Sequence, residues 1–263
     1  MDIRLDGRCA IVTGGAQGIG KGIATALAES GAYVIIADIA REAAVNTVEE
    51  IRAAEGRADA LSLDITDVKQ VDEVMNEAVK MGGKLDICVH AAGIHVAESF
   101  LNISQENIER LTRINAIGTS NVMRASLKRM IPNNYGKLVV LTSIAARTGC
   151  TDAHYGMTKA AQMHMAWCAA MEVAPYNINV NSIAPGFVYT GMWDTIIDTR
   201  CGAEKKNIPE ERERCWKQAV EETMFKRPQT SQDIANMAVF LCSEQAKEIT
   251  GQCFNVCGGS RMN

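Results

Sequence analysis

Ala10-Ile11-Val12-Thr13-Gly14-Gly15-Ala16-Gln17-Gly18-Ile19-Gly20 is a short apolar run that stops in a cluster of glycines and passes into a helical pattern. Read as strand, turn and helix, this stretch decides the fold class. Glycine suits such a turn because a side chain would hold the backbone away from a pyrophosphate. The helix start beyond it offers unpaired N–H groups and a partial positive charge, both of which attract phosphate. Alone, a glycine-rich run is only a tight turn. Between a first strand and a first helix it becomes a dinucleotide-binding signal.

Outward from this turn, short apolar runs alternate with longer amphipathic ones. Strands are expected at 9–13, 33–37, 58–63, 86–90, 138–142, 179–183 and 252–256. Helices are expected at 18–30, 41–55, 68–81, 105–130, 153–173 and 231–243. The pattern predicts the α/β class: a Rossmann-type doubly wound sheet of about seven parallel strands with helices on both faces. No repeat or low-complexity linker divides the chain, so 1–263 is read as a single dinucleotide-binding and catalytic domain. Only 188–228 breaks the alternation, with mixed residues that include Glu210-Glu211-Arg212-Glu213-Arg214. It follows the C-terminal end of a strand and is read as a substrate lid rather than a solvated excursion.

Apolar residues make up 47% of the 263 and charged ones 22%, which suits a soluble globule with a substantial core. A net charge of −4 argues against nucleic acid as a partner. No apolar run approaches the ~20 residues that span a bilayer, so no membrane association is expected. Met1 to Gly7 lacks the apolar core of a signal peptide, and a cytoplasmic location is expected. The nine cysteines are odd in number and unframed, and Cys253 and Cys257 lack Cys-x-x-Cys spacing. With four dispersed histidines, they predict free thiols and no metal site.

Asp38 ends the second strand. A carboxylate there can accept hydrogen bonds from both adenosine ribose hydroxyls and would repel a 2′-phosphate. Neither Ile39, Ala40 nor Gln17 supplies a positive charge, and Arg41 is expected on an exposed helix start. NAD is therefore expected rather than NADP.

Tyr155 and Lys159 lie four residues apart on one helix face. A free phenol titrates near pH 10, and bringing it to about 7 needs about 4 kcal/mol of preferential phenolate stabilisation. One cation ~4 Å away at an effective dielectric near 20 supplies about that much. Lys159 is thus expected to lower Tyr155, with Ser143 holding the substrate oxygen beside it. Separately, a serine after a strand is a cap and a Tyr–Lys pair a surface contact. Behind a nucleotide-binding turn they form a base for alcohol oxidation and an acid for ketone reduction.

These residues resemble the classical short-chain dehydrogenase/reductase family over essentially the whole chain. The motifs are Thr-Gly-x-x-x-Gly-x-Gly at 13–20, Asp64-Ile65, Ala91-Ala92-Gly93, Asn115, Ser143, Tyr155-x-x-x-Lys159 and Pro185-Gly186 with Thr190. The resemblance implies catalysis by Asn115, Ser143, Tyr155 and Lys159, with Asn115 holding a water that links Lys159 to solvent. It implies a nicotinamide dinucleotide along Thr13, Gly14, Gln17, Gly18, Ile19, Gly20 and Asp38. Further contacts would come from Asp64, Ile65, Ala92, Gly93, Tyr155 and Lys159, then from Pro185, Gly186, Val188 and Thr190. It also implies a homotetramer built on the helices at 105–130 and 153–173. Met163, Met165, Trp167, Cys168 and Met171 are accordingly expected in a core or subunit face. His90 departs from the family, which has asparagine there to tie the central strands, and a structural role is expected for it.

The pocket is expected among His95, Ile144, Ala145, Cys150, His154, Phe187, Met192 and Trp193, with Ser143, Ala145, His95, Cys150 and Trp193 touching substrate. Apolar walls with a few polar groups suit a small secondary alcohol, polyol, diol or hydroxyketone. Residues 190–194 and 258–263 are similar to acetoin reductase, butanediol and sugar-alcohol dehydrogenases. Arg147 is read as outward-facing, with capture of an anion as its alternative. The rival readings are a hydroxysteroid dehydrogenase, a 3-oxoacyl carrier-protein reductase and a non-catalytic dinucleotide sensor.

Overall fold

All five residues of β1 (Cys9–Thr13) are buried, because side chains from alternate positions enter two separate cores. Ala10 and Val12 join one apolar cluster, Cys9 and Ile11 the other. A strand covered on both faces needs this continuous apolar run. The computed structural model describes residues 3–201 and 207–262, without the side chains of 195 and 198–201.

β1 pairs in parallel with β2 (Tyr33–Asp38) on one side and β4 (Ile87–His90) on the other. With β3 (Arg57–Ser62), β5 (Gly136–Leu141), β6 (Ile178–Pro185) and β7 (Cys253–Val256), they form one sheet. Its order is β3-β2-β1-β4-β5-β6-β7, the seven parallel strands that the alternation predicts. β6 runs to Pro185, two residues past its expected end, because Pro185 still pairs with Val256. Chain direction across the sheet reverses between β1 and β4, which opens a crevice beyond their C-terminal ends.

One core lies between the sheet and α1 (Gly18–Glu29), α2 (Arg41–Ala53) and α9 (Ser231–Cys242), with Ile23, Leu27, Val48 and Ile234 buried in it. The other lies under α3 (Val68–Gly82), α5 (Thr119–Met130) and α6 (Ala153–Val173), around Ile35, Met75, Met130 and Leu138. α9 begins in a capping box in which Thr230 and Asp233 satisfy each other's backbone N–H.

The single helix expected at 105–130 is instead three pieces. α4 (Gln105–Leu111) passes into a π-helical turn, Thr112–Gly118, before α5 begins. Within that turn the Asn115 carbonyl accepts side-chain hydrogen bonds from Thr119 Oγ1 (2.5 Å) and Gln162 Nε2 (2.8 Å). A π turn accommodates one extra residue, and such turns gather at functional sites.

The expected lid contains α7 (Gly191–Cys201) and α8 (Pro209–Val220), while 202–206 lie outside the described residues. It has a small apolar cluster of its own, in which Ile197, Cys215 and Ala219 meet Ile144, Phe187 and Cys257. An aromatic series joins the two helices: Phe187 to Trp193 (5.4 Å), Trp193 to Trp216 (5.1 Å) and Trp216 to Tyr189 (5.0 Å between centroids).

His90 ends β4 wholly buried. Its Nδ1 lies 2.7 Å from Thr13 Oγ1 and its Nε2 2.8 Å from Thr119 Oγ1, so the ring ties β1 to α5. Burial, with the nearby Lys159 charge adding, pulls its pKa down to about 3, whereas a free imidazole titrates near 6.5. Between those values the unfolded chain binds a proton that the folded chain refuses. This contribution to stability is therefore complete above about pH 6.5 and is lost as the pH falls toward 3. In urea unfolding of His90→Asn, the fall in stability from about pH 7 to about pH 5 should be smaller than in the wild type by about 2 kcal/mol. Equal falls would show that His90 is not the responsible group.

Candidate active site

The crevice beyond β1, β2 and β4 is lined by Gly14, Gln17, Gly18, Ile19, Gly20, Asp38, Asp64, Ile65, Ala92, Gly93 and Thr190. Gly14 has φ of +71°, and a Cβ there would lie 2.6 Å from Ala92 Cα. A Cβ on Gly20 would lie 2.0 Å from the Gly14 carbonyl oxygen. The turn is thus folded on itself and pressed against the segment after β4, leaving bare backbone facing the crevice. The Asp38 carboxylate is fixed there by the N–H groups of Ala16 and Ala40, each at 3.0 Å. Arg41 is exposed at the start of α2. This cradle fits a dinucleotide: small residues for the pyrophosphate and an anchored acid at the ribose end.

One expected contact is placed differently. Thr13 does not line the crevice, because its buried side chain is committed to His90. Ile65 packs its side chain under Gly118 of the π turn, and its carbonyl accepts from Asn121 Nδ2 (3.0 Å). The Asp64 carboxylate is held by the Thr66 N–H and hydroxyl, both at 2.8 Å.

Ile19, Ala91, Thr190 and Met192 lie at the junction with a second pocket of about 200 Å³. This pocket is walled by Ser143, Tyr155, Lys159, His95, Ala145 and Cys150, and by Pro185, Gly186, Val188 and Trp193 from the lid side. Ser143 caps a short 3₁₀ turn by accepting the Ala145 N–H (3.1 Å), and it lines the same pocket wall as Tyr155.

Here the electrostatics depart from expectation. Burial pushes the Tyr155 phenol up to about 12; the Ser143 hydrogen bond opposes this, and Asp152 and Cys150 add to the rise. The Lys159 Nζ lies 5.7 Å from the tyrosine ring centroid, bonded to the Leu141 carbonyl (3.0 Å) and Gln162 Oε1 (2.9 Å). Burial pulls its own pKa down to about 7. Burial is thus the first cause of both shifts, and for each group it disfavours the charged form.

Asn115 sits in the π turn with its side chain fully engaged. Its Oδ1 accepts from Ile94 N–H (2.9 Å), and its Nδ2 donates to the Ile94 carbonyl (2.9 Å) and Thr158 Oγ1 (3.1 Å). Gln162 stands between Lys159 and Asn115, bonding the lysine through Oε1 and the Asn115 carbonyl and Thr119 hydroxyl through Nε2. Sequence reasoning missed Gln162, although its place three residues beyond Lys159 puts it on the same helix face.

The pocket also contains residues the sequence did not suggest. Asp152 lies 3.1 Å from His95 Nε2. Thr148, Glu222 and Arg261 also line it, with Arg261 paired to Glu222 at 3.3 Å. Two expectations are corrected. His154 does not line the pocket and stacks on Phe100 at 5.4 Å. Arg147 is neither outward-facing nor an anion trap, since it bonds the Cys253 carbonyl of β7 (2.6 Å). On α6, Trp167, Cys168 and Met171 are exposed while Met165 packs against the core.

Among the described residues, no helix is long and apolar enough to cross a membrane. The family model described as enoyl-(acyl carrier protein) reductase matches residues 14–261. A sorbitol dehydrogenase from Cereibacter sphaeroides is 36% identical over 99% of this chain and 100% of its own length. A 3-oxoacyl-(acyl-carrier-protein) reductase from Aquifex aeolicus is 33% identical, covering 98% of this chain and 99% of that one. A 7alpha-hydroxysteroid dehydrogenase from Escherichia coli is also 33% identical, covering 98% and 96%. The solved structure of an NAD+-bound xylitol dehydrogenase superposes with a TM-score of 0.90 at 27% identity, over 97% of this chain and 99% of that one. With a matching family model and relatives aligned over nearly their full lengths, the chain belongs to the short-chain dehydrogenase/reductase family and has sugar-alcohol dehydrogenases among its relatives.

Proposed function

We propose that this protein is an NAD-dependent alcohol dehydrogenase and ketoreductase that interconverts a small polyol, diol or hydroxyketone with its oxidised partner. The observation that carries this reading is the placement of Ser143 and Tyr155 together on the wall of a small pocket, with Lys159 buried one turn away. Ser143 donates to or accepts from the reacting oxygen and holds it at the phenol. Tyr155 Oη takes the hydroxyl proton in oxidation and returns it in reduction. A bound nicotinamide supplies the hydride acceptor or donor, and in its oxidised form a positive charge. With its phenol raised to about 12 by burial, Tyr155 keeps its proton at neutral pH, and its role as base depends on positive charge beside it. Gln162 holds Lys159 in place beside the phenol, accepting from its Nζ through Oε1 while its Nε2 donates to the Asn115 carbonyl.

Asp38 supports NAD over NADP, since a fixed carboxylate at the ribose end opposes a 2′-phosphate. The small pocket favours a compact substrate: at about 200 Å³ it falls below the ~300–1,000 Å³ typical of drug-sized ligand sites. That argues against a steroid, and the net charge of −4 against docking an acidic carrier protein. The exposed Trp167 and Met171 on α6 support the homotetramer. A non-catalytic sensor would have no use for Ser143, Tyr155 and Lys159 together.

Tyr155→Phe should lower kcat by at least about 10²–10⁴-fold while NAD affinity, read by fluorescence titration, stays within about twofold. Substantial retained turnover would remove Tyr155 from the mechanism. Following reduced-cofactor absorbance with sugar alcohols, diols, steroids and acyl thioesters, NAD should outperform NADP by at least about tenfold. Equal rates with NADP would refute the role given to Asp38, and a preference for steroids or thioesters would refute the substrate class.

A further inference from the structure

We propose that His95 is the specificity-determining group of this pocket, and that its Nδ1 accepts a hydrogen bond from a hydroxyl on the carbon next to the reacting one. The enzyme would then prefer vicinal diols over lone secondary alcohols, and α-hydroxyketones over vicinal diketones. The inference rests on the reading of Ser143 and Tyr155 given above.

Three observations converge on the ring. It lines the pocket with its side chain only 2% exposed. It stands edge-on to the Tyr155 ring, 4.6 Å between centroids at 70°. Its Nε2 lies 3.1 Å from the Asp152 carboxylate, while its Nδ1 is buried and meets no partner.

The proton arrangement follows from the chemistry of the pair. A carboxylate only accepts, so the ring hydrogen of the neutral imidazole belongs on Nε2, pointing at Asp152. Nδ1 is left as a lone-pair acceptor. A buried acceptor without a donor is costly, and native structures rarely leave one. Among the described residues nothing satisfies it, so the donor comes from what fills the pocket. The reacting oxygen is already engaged by Ser143 and Tyr155. The hydroxyl that reaches a ring beside Tyr155 is therefore the one on the neighbouring carbon.

Other groups in the wall do not compete for that position. Ile144, Phe187 and Met192 offer no hydrogen-bond donor, and Arg261 and Glu222 are paired with each other. The selectivity is also directional. A hydroxyl can donate to Nδ1, whereas a carbonyl in its place brings a second acceptor against the first.

The test uses four probes that share one carbon skeleton: butane-2,3-diol against butan-2-ol in oxidation, and acetoin against butane-2,3-dione in reduction. The wild type should favour the diol and the hydroxyketone by about tenfold in kcat/KM, the worth of one neutral hydrogen bond. His95→Ala should collapse the diol-to-alcohol ratio by about that factor, mainly through KM. His95→Asn, whose amide oxygen can still accept, should keep part of the preference. Equal loss toward diol and lone alcohol in both variants would make His95 a structural residue only and overturn the proposal. So would a wild type that shows no preference for acetoin over the diketone. A wild type inert toward all four probes with NAD and NADP would instead overturn the alcohol-oxidation reading, and the role of His95 with it.

Discussion

Much of the site's architecture follows from burying one lysine. Lys159 is 5% exposed, and the hydrogen-bond partners described for its Nζ are a carbonyl and an amide oxygen, both neutral. A buried ammonium without a counter-ion is expensive, and the interior responds by drawing its pKa down. The polar groups around it must also be satisfied. Gln162 takes the lysine with one end of its amide and uses the other for the Asn115 carbonyl and Thr119. Thr119 meets His90, and His90 meets Thr13 at the top of β1. A polar thread thus runs from the presumptive acid–base pair through the π turn to the glycine turn. Its members are mutually satisfied, which is the condition for tolerating such a thread in a core.

That thread passes the crevice where the doubly wound sheet changes direction. Strand ends from β1, β2, β4, β5 and β6 converge there, and each delivers one part: the glycine turn, Asp38, the Ala91–Gly93 segment, Ser143 and Pro185-Gly186. The sheet supplies rigid positions for these parts. α6 supplies Tyr155 and Lys159 at one-turn spacing, and α7 lines the remaining side. The division explains why cofactor and chemistry sit on regular elements while the substrate wall is drawn from connecting segments.

The fold was readable because its signals are strong: seven apolar runs, a glycine turn in the right context, and helices of ordinary length. Tyr155, Ser143 and Asp38 were readable as residue types in meaningful places. The π turn was not, because a single wider turn leaves the apolar rhythm of 105–130 intact. Gln162 and Asp152 were hidden for a different reason: a polar residue on a helix, or just before one, is indistinguishable in sequence from a solvated face. Thr13 was misplaced because the motif says nothing about the partner that claims its side chain. The burial of Tyr155 and Lys159 was not readable, because burial is a property of the folded chain alone.

The lid's private apolar cluster has a consequence for how such a protein can change. Ile197, Cys215 and Ala219 meet the rest of the molecule through Ile144, Phe187 and Cys257, apart from the two clusters that clothe the sheet. Residues that shape the substrate wall and residues that keep the strands together therefore belong to different packing units. Drift in one need not be compensated in the other. Changes in α8 and the far end of α7 can therefore reshape the pocket wall with little effect on the glycine turn and Asp38.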